Sequence, residues 1–221
     1  MQLFADSLRQ TRVIAILRGV PADKLLPVLD ALRDGGIRLA EITYDASGTV
    51  SDRETAEQIA SAVRHTKGIM HIGAGTVLTP EQAELTRAAG GTFAISPHTD
   101  PSLICAVKTM GLLALPGAMT VSEAVAAYRA GADYVKLFPA SSLGPDFVRQ
   151  IRAPLPQIPL LAVSGISPEQ VPAYLRAGVA GFGIGSSIVN ARLCRENAME
   201  TIRQNAEQYI RACRAAEEGT V

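Results

Sequence analysis

The stretch Ile72-Gly73-Ala74-Gly75-Thr76-Val77-Leu78-Thr79-Pro80-Glu81 carries the chain from a strand into a helix. Its first half is an apolar, strand-like run, which predicts a strand over residues 72–77. Thr79 suits a helix N-cap, and Pro80 suits the first helical position, where a missing N–H is not needed. The stretch therefore predicts one βα unit.

The same alternation of strand and helix continues along the whole chain. The predicted strands are Val13–Leu17, Leu39–Thr43, residues 72–77, Phe93–Ser96, Leu112–Leu115, Tyr134–Phe138, Leu160–Val163 and Gly181–Ile184. Gly90, Gly131 and Gly178 close predicted helices, where a C-cap needs a left-handed backbone. Eight βα units predict an α/β protein with a closed (β/α)8 TIM barrel. A doubly wound open sheet is the alternative, but the sequence lacks its glycine-rich first turn with an acidic residue downstream.

Composition indicates a single barrel domain over residues 1–221. The chain is 48% hydrophobic, which is enough for one sizeable core, and no linker or low-complexity segment divides it. A short helix is expected before the first strand. Residues 192–221 predict one long amphipathic helix that ends in a polar stretch.

Charge and cysteine content favour an enzyme that acts on a small molecule in the cytoplasm. The 21 basic and 21 acidic residues cancel, so no overall field would attract nucleic acid or an anionic membrane. No apolar run has the length of a membrane span or of a signal peptide core. Three cysteines without CxxC spacing indicate a reducing compartment.

Lys136 lies in the middle of the apolar run Tyr134-Val135-Lys136-Leu137-Phe138. Burial lowers the pKa of an ammonium group, which makes a free amine available near neutral pH, and such an amine can attack a ketone. A structural alternative stays open, because a lone buried lysine can be capped by a carboxylate or can extend its head group to water.

Side chains that an apolar core would not favour occur in or at the end of several other predicted strands, and the strand ends line the active site of a barrel. They are Arg18, Glu41, Thr43, Thr76 and Pro97-His98. Since side chains alternate along a strand, Lys136 and Phe138 should share the inward face, as should Glu41 and Thr43. This pattern predicts an amine nucleophile beside a carboxylate proton shuttle, with a buried structural Glu-Lys ion pair as the alternative.

The last two strand ends differ, since they carry Ser164-Gly165 and Gly185-Ser186. Unhindered backbone N–H groups and hydroxyls at these adjacent ends are typical of a phosphate site in a barrel, although Ser-Gly is also ordinary turn chemistry.

Taken in order, these motifs resemble the 2-keto-3-deoxy-6-phosphogluconate (KDPG) and 4-hydroxy-2-oxoglutarate (KHG) aldolases. The similarity covers nearly all of residues 13–190. The matching motifs are Arg18-Gly19, Glu41-Ile42-Thr43, Gly73-Ala74-Gly75-Thr76-Val77-Leu78, Ala94-Ile95-Ser96-Pro97, Pro116-Gly117, Lys136-Leu137-Phe138-Pro139-Ala140, Gly165-Ile166-Ser167-Pro168 and Gly185-Ser186.

The resemblance implies a class I aldolase that cleaves a 2-keto-4-hydroxy acid into pyruvate and an aldehyde, without a metal or other cofactor, as a homotrimer. It implies Lys136 as the Schiff-base residue and Glu41 as the general acid and base. The substrate-binding positions that the resemblance and the strand pattern give are Arg18, Thr43, Thr76, Pro97, Phe138, Ser164, Gly165, Gly185 and Ser186. No cluster of His, Asp and Glu has metal-ligand spacing.

The sequence departs from the family pattern at two positions. Asp45 stands where many members have an arginine that binds the pyruvyl carboxylate, so Asp45 either turns away from the substrate or accompanies a different substrate choice. Ser164 stands where many members have glycine at the phosphate end.

Two other functions stay open at this point. One is a different phosphate-binding barrel enzyme, an isomerase or decarboxylase in which Lys136 acts as an acid or a charge. The other is a barrel that binds a keto acid without turnover. The aldehyde product and the stereochemistry at C4 are not determined by the sequence.

Overall fold

The computed structural model describes residues 2–219. Its strand segments are β1 (Val13–Leu17), β2 (Leu39–Thr43), β3 (His71–Gly75), β4 (Phe93–Ile95), β5 (Leu113–Leu115), β6 (Gly117–Ala118), β7 (Val135–Leu137), β8 (Leu160–Val163) and β9 (Gly181–Ile184). Its α-helices are α1 (Gln2–Thr11), α2 (Ala22–Asp34), α3 (Asp52–Thr66), α4 (Pro80–Ala88), α5 (Pro101–Thr109), α6 (Val121–Arg129), α7 (Ala140–Arg152), α8 (Val171–Ala177), α9 (Ala191–Arg195) and α10 (Met199–Glu217), and a 3₁₀ helix spans Pro168–Gln170.

All strand segments are parallel, and their order is β5-β4-β3-β2-β1-β9-β8-β7-β6. The two segments at the ends of this order are halves of a single strand, interrupted at Pro116 because proline has no N–H for the ladder. β5 pairs with β4 and β6 pairs with β7, so the interrupted strand closes the ring. The predicted (β/α)8 barrel in a single domain is confirmed.

Local signals in the sequence place most helix ends correctly. The Thr79 side chain accepts a hydrogen bond from the Gln82 N–H at 3.3 Å and caps α4, as its position before Pro80 predicts. Gly90, Gly131 and Gly178 have φ angles of 84°, 100° and 98° and adopt the left-handed conformation expected after a helix.

The prediction of a single helix from Arg192 onward is wrong. Asn197 has a φ of 51°, a left-handed conformation that asparagine tolerates, and it separates α9 from α10. Thr220 and Val221 lie outside the described residues. None of the helices within residues 2–219 has the length and apolar character required to cross a membrane.

The core has two layers, one between sheet and helices and one inside the barrel. The inner layer includes Ile14, Phe93 and Leu161, and Phe4 and Leu8 of α1 pack against it. The Phe4 ring lies 5.2 Å from the Phe93 ring in an edge-on arrangement. Helix α1 therefore covers the N-terminal end of the barrel, which leaves the opposite end for a functional site.

Candidate active site

Lys136 is the central residue of β7 and points into the barrel. Its neighbours Val135 and Leu137 are fully buried in the outer core layer, whereas Lys136 is 6% exposed and its Nζ lies 4.9 Å from the centroid of the Phe138 ring. The predicted alternation is confirmed. Burial lowers the pKa of Lys136, the positive charge of Arg18 lowers it further, and the negative charge of Glu41 opposes both.

Glu41 projects from β2 into the same interior and is 2% exposed. Room for its carboxylate comes from Gly75 of β3, where an added Cβ would lie 2.5 Å from Glu41 Oε1. Glu41 Oε2 has no hydrogen-bond partner among the described residues. Burial raises the pKa of Glu41, and the charges of Lys136 and Arg18 partly offset that rise.

Glu41 and Lys136 influence each other through their charges, but within the described chain no hydrogen bond or ion pair joins them. A buried structural pair needs close contact and satisfied hydrogen bonds to offset the cost of desolvation. The geometry therefore does not support the structural ion pair that the sequence left open. Lys136 instead lines a cavity, and Glu41 Oε2 is left without a hydrogen-bond partner in the described part of the chain.

Two cavities open at the carboxyl ends of the strands, and Arg18 lines both. The first has a volume of about 340 Å³ and the second about 410 Å³. The first is lined by Arg18, Lys136, Phe138, Ser164, Gly165, Gly185 and Ser186, and the second by Arg18, Thr43 and Thr76, among others. Pro97 lines neither cavity. Its carbonyl oxygen packs against Gly117, where an added Cβ would lie 2.3 Å away.

The residues that follow β9 form one end of the first cavity, and backbone N–H groups are available there. The Gly185 carbonyl accepts hydrogen bonds from Ile188 and Val189 at 2.9 and 3.0 Å, which forms a single turn. The backbone N–H groups of Ser186 and Ser187 have no protein acceptor in the described part of the chain. They suit an anion such as a phosphate.

Sequence reasoning did not name several residues that line this cavity, among them Val163 and Asn190. The Asn190 side chain caps α9 by accepting from the Leu193 N–H at 3.1 Å, and it donates to the Ser186 carbonyl at 3.1 Å. An N-cap signal before α9 could have identified Asn190, whereas Val163 has no polar group that would mark it as a site residue.

Two predicted site residues hold strained backbone conformations. Thr76 has a φ of 56° and Ser164 a φ of 82°, in the left-handed region that favours glycine. Such strain costs about 1–3 kcal/mol per residue and is concentrated at functional sites. Both residues directly follow strands at the same end of the barrel.

Asp45 turns into its own loop. Its carboxylate accepts hydrogen bonds from the Ser47 backbone N–H at 2.9 Å, the Ser47 hydroxyl at 2.6 Å and the Val50 N–H at 3.0 Å. The hydrogen bonds from Ser47 and Val50 lower the pKa of Asp45 to about 2. The Asp45 carboxylate is therefore held by its own loop, while Asp45 also lines the second cavity beside Arg18 and Thr76.

Within residues 2–219, no group of three or more His, Cys, Asp or Glu side chains is arranged to hold a metal ion. The site offers a buried amine, a buried carboxylate and an anion-binding end. The family model described as "KDPG and KHG aldolase" matches residues 4–205, which includes every site residue named above. The chain belongs to the KDPG and KHG aldolase family.

Curated and structural relatives within this family agree with that assignment. The chain is 38% identical over 195 residues to a probable 2-dehydro-3-deoxy-6-phosphogalactonate aldolase of Rhizobium meliloti (strain 1021), covering 86% of this chain and 89% of that protein. A native KDPGal structure superposes with a TM-score of 0.85 at 32% identity, over 93% of this chain and 96% of the other. KDPG aldolase from Legionella pneumophila, solved with pyruvate captured as a covalent carbinolamine intermediate, gives a TM-score of 0.82 at 27% identity, over 92% and 96% of the two chains.

Proposed function

We propose that this protein is a class I aldolase that cleaves a 6-phosphorylated 2-keto-3-deoxy sugar acid into pyruvate and glyceraldehyde 3-phosphate. The observation that carries the proposal is the buried Lys136 amine, which opens into a cavity, has a lowered pKa and has an unpaired Glu41 carboxyl nearby. A neutral amine is the form that attacks a ketone.

In this reaction the Lys136 amine attacks C2 of the substrate and forms a carbinolamine, which loses water to give an iminium ion. Glu41 supplies and removes the protons of these steps, and burial raises its pKa above the ordinary value for glutamate, which favours the protonated form that can donate. Glu41 then takes the proton of the C4 hydroxyl. The C3–C4 bond breaks, its electron pair moves into the iminium, and the aldehyde leaves. Protonation at C3 and hydrolysis release pyruvate and restore the amine.

The substrate lies with its two anionic ends apart. Arg18 and Thr76 bind the C1 carboxylate, while the Ser164 hydroxyl and the N–H groups of Gly165 and Ser186 bind the phosphate. Arg18 suits its role because it lines both cavities and reaches the interior charges of Glu41 and Lys136. The remaining predicted positions, Thr43, Pro97, Phe138 and Gly185, shape the walls around the bound adduct.

The substrate we favour is 2-dehydro-3-deoxy-6-phosphogalactonate, the C4 epimer of the phosphogluconate acid. The curated relative at 38% identity is named as an aldolase of this acid. The structural relative at 32% identity carries the short form of the same name, KDPGal. Initial rates of pyruvate release should be higher for this epimer than for the phosphogluconate epimer or for 4-hydroxy-2-oxoglutarate. A preference for either of the other two acids would change the substrate but not the reaction.

Sodium borohydride reduction in the presence of pyruvate tests the reaction itself. We expect a stable adduct on Lys136, located by peptide mass analysis, and none in Lys136→Ala. Lys108 provides a matched control, because it is held in an ion pair with Asp133 at 2.7 Å. An adduct on Lys108 in place of Lys136 would exclude Lys136 as the Schiff-base residue, and no adduct at all would favour an isomerase, a decarboxylase or a non-catalytic barrel.

We also propose that the protein works as a cytoplasmic homotrimer. Cys105, Cys194 and Cys213 are free thiols, in line with a reducing compartment. Met119, Val121 and Tyr128, just before or within α6, are between 39% and 49% exposed, and three exposed apolar side chains on one short segment suit an interface. Light scattering on the purified protein should give about three times the 23.3 kDa of one chain.

A further inference from the structure

Gln82 lies in the first turn of α4, outside both cavities, yet all four of its polar groups have partners. Its N–H donates to the Thr79 hydroxyl at 3.3 Å, and its carbonyl accepts from the Tyr44 hydroxyl at 2.8 Å. Its side-chain Oε1 accepts from the Leu78 N–H at 2.8 Å, and its Nε2 donates to Asp52 at 3.0 Å. The Gln82 side chain is therefore fixed in one orientation.

The two side-chain partners belong to the two loops beside the second cavity. Asp52 is the first residue of α3 and ends the loop that contains Asp45. Leu78 comes two residues after Thr76, in the loop that follows β3. The Gln82 amide consequently joins these two loops to each other.

Thr76 needs such support because its backbone is strained. A φ of 56° is unusual for a β-branched residue and persists only where neighbouring contacts hold it. On the C-terminal side of Thr76, Val77 donates its N–H to the Ile95 carbonyl at 3.0 Å, and Leu78 donates its N–H to Gln82. Only the second of these bonds depends on a side chain.

We infer that Gln82 is a positioning residue that holds Thr76 in the conformation in which Thr76 binds the substrate carboxylate. The inference rests on the proposed function, which gives Thr76 that role. Gln82 does not touch the substrate. It acts through the Leu78 N–H on one side and through Asp52 on the other.

The two ends of the Gln82 amide have opposite hydrogen-bonding roles, which allows a specific test. An amide accepts from Leu78 with its oxygen and donates to Asp52 with its nitrogen. Gln82→Glu keeps the acceptor but places a second carboxylate against Asp52, which repels it. Asp52→Asn in the same molecule supplies a donor to the introduced carboxylate and restores both hydrogen bonds with the original net charge.

The measurement is the pyruvate concentration that gives half-maximal borohydride trapping on Lys136, together with the melting temperature. We expect Gln82→Glu to raise that concentration by roughly tenfold, as for partners in one hydrogen-bond network, and Asp52→Asn alone to change it by less than about threefold. The double variant Gln82→Glu/Asp52→Asn should return to within about threefold of the wild type.

Ser51→Ala is the matched structural control. It removes the capping box that Ser51 forms with Glu54 at the start of α3, beside Asp52, but it leaves the bridge from Gln82 to Leu78 intact. We expect it to lower the melting temperature without a change in half-saturation.

Three results would overturn the inference. If Gln82→Glu lowers only the melting temperature, as Ser51→Ala does, Gln82 is purely structural. If the double variant stays as impaired as Gln82→Glu, the bridge to Asp52 is not the cause. If the wild-type protein traps no pyruvate on Lys136, the proposed function fails first and the role of Gln82 fails with it.

Discussion

Lys136 and Glu41 are the residues for which sequence reasoning went furthest. Each is a charged side chain inside an apolar strand, and strand alternation alone predicted that both face the barrel interior. The space that Gly75 leaves for Glu41, and the bridge through Gln82, could not be predicted. Both depend on contacts between separate βα units, which only the folded register determines.

The acid-base behaviour of Lys136 can be measured without substrate. Trace labelling with acetic anhydride, resolved by peptide, reports the neutral fraction of each amine as pH changes. Because burial lowers the pKa of Lys136, the midpoint of its labelling curve should lie below 10.5, the ordinary value for lysine. The neutral fraction of the Lys136 amine then increases with pH and reaches its maximum at a lower pH than that of an exposed lysine. A midpoint at or above 10.5 would contradict the lowered pKa.

Glu41→Gln tests the proposed role of Glu41 as proton shuttle separately from the proposed role of Lys136 as nucleophile. Turnover should fall by about 10²–10⁴-fold, because the amide cannot accept the C4 hydroxyl proton, while slow pyruvate trapping on Lys136 persists. Since folding raises the pKa of Glu41, the wild-type protein loses stability as pH rises through that pKa. The melting temperature of Glu41→Gln should therefore exceed that of the wild type by more at pH 8 than at pH 5. Unchanged turnover would remove Glu41 from the mechanism.

At the scale of whole elements, most strands were predicted within one or two residues, since a buried parallel strand is a short apolar run between turn residues. The fifth strand was predicted to end at Leu115, as β5 does, but the structure continues it after Pro116 as β6, and only the C-terminal helix among these predicted elements is divided. Pro116 interrupts the fifth strand of the barrel, and Asn197 divides the C-terminal helix. In both cases one residue with special backbone chemistry overrides an apolar pattern that continues across it.

Helix α1 contributes to stability at the end of the barrel opposite Lys136. Phe4→Ala should lower the free energy of unfolding by about 3–5 kcal/mol, because the ring is 2% exposed and packs against the inner core. The KM for substrate should stay the same. Leu3→Ala is the control in urea denaturation, since Leu3 is 73% exposed and its loss should change little. Equal effects of the two substitutions would show that α1 does not close the barrel.

For the molecule as a whole, the repeat of βα units predicted the barrel and the end at which the site would lie. The division of the site into two cavities beside Arg18 was not predictable, because it depends on how the loops after β1 and β2 fold against each other. Asp45 illustrates this point. Its sequence position suggested a conflict with an anionic substrate, but its hydrogen bonds to Ser47 and Val50 direct the carboxylate into the loop.

The closure of one barrel end by α1 leaves both products the same way out. Among the described residues, Phe4 and Leu8 block the N-terminal end, and the cavity beside Lys136 opens at the opposite rim. In the proposed mechanism pyruvate is still bound covalently to Lys136 when the aldehyde leaves, so pyruvate is the last product released. Product inhibition should therefore be competitive for pyruvate and noncompetitive for the aldehyde, and pyruvate that accumulates in a cell would slow the enzyme by occupying its nucleophile.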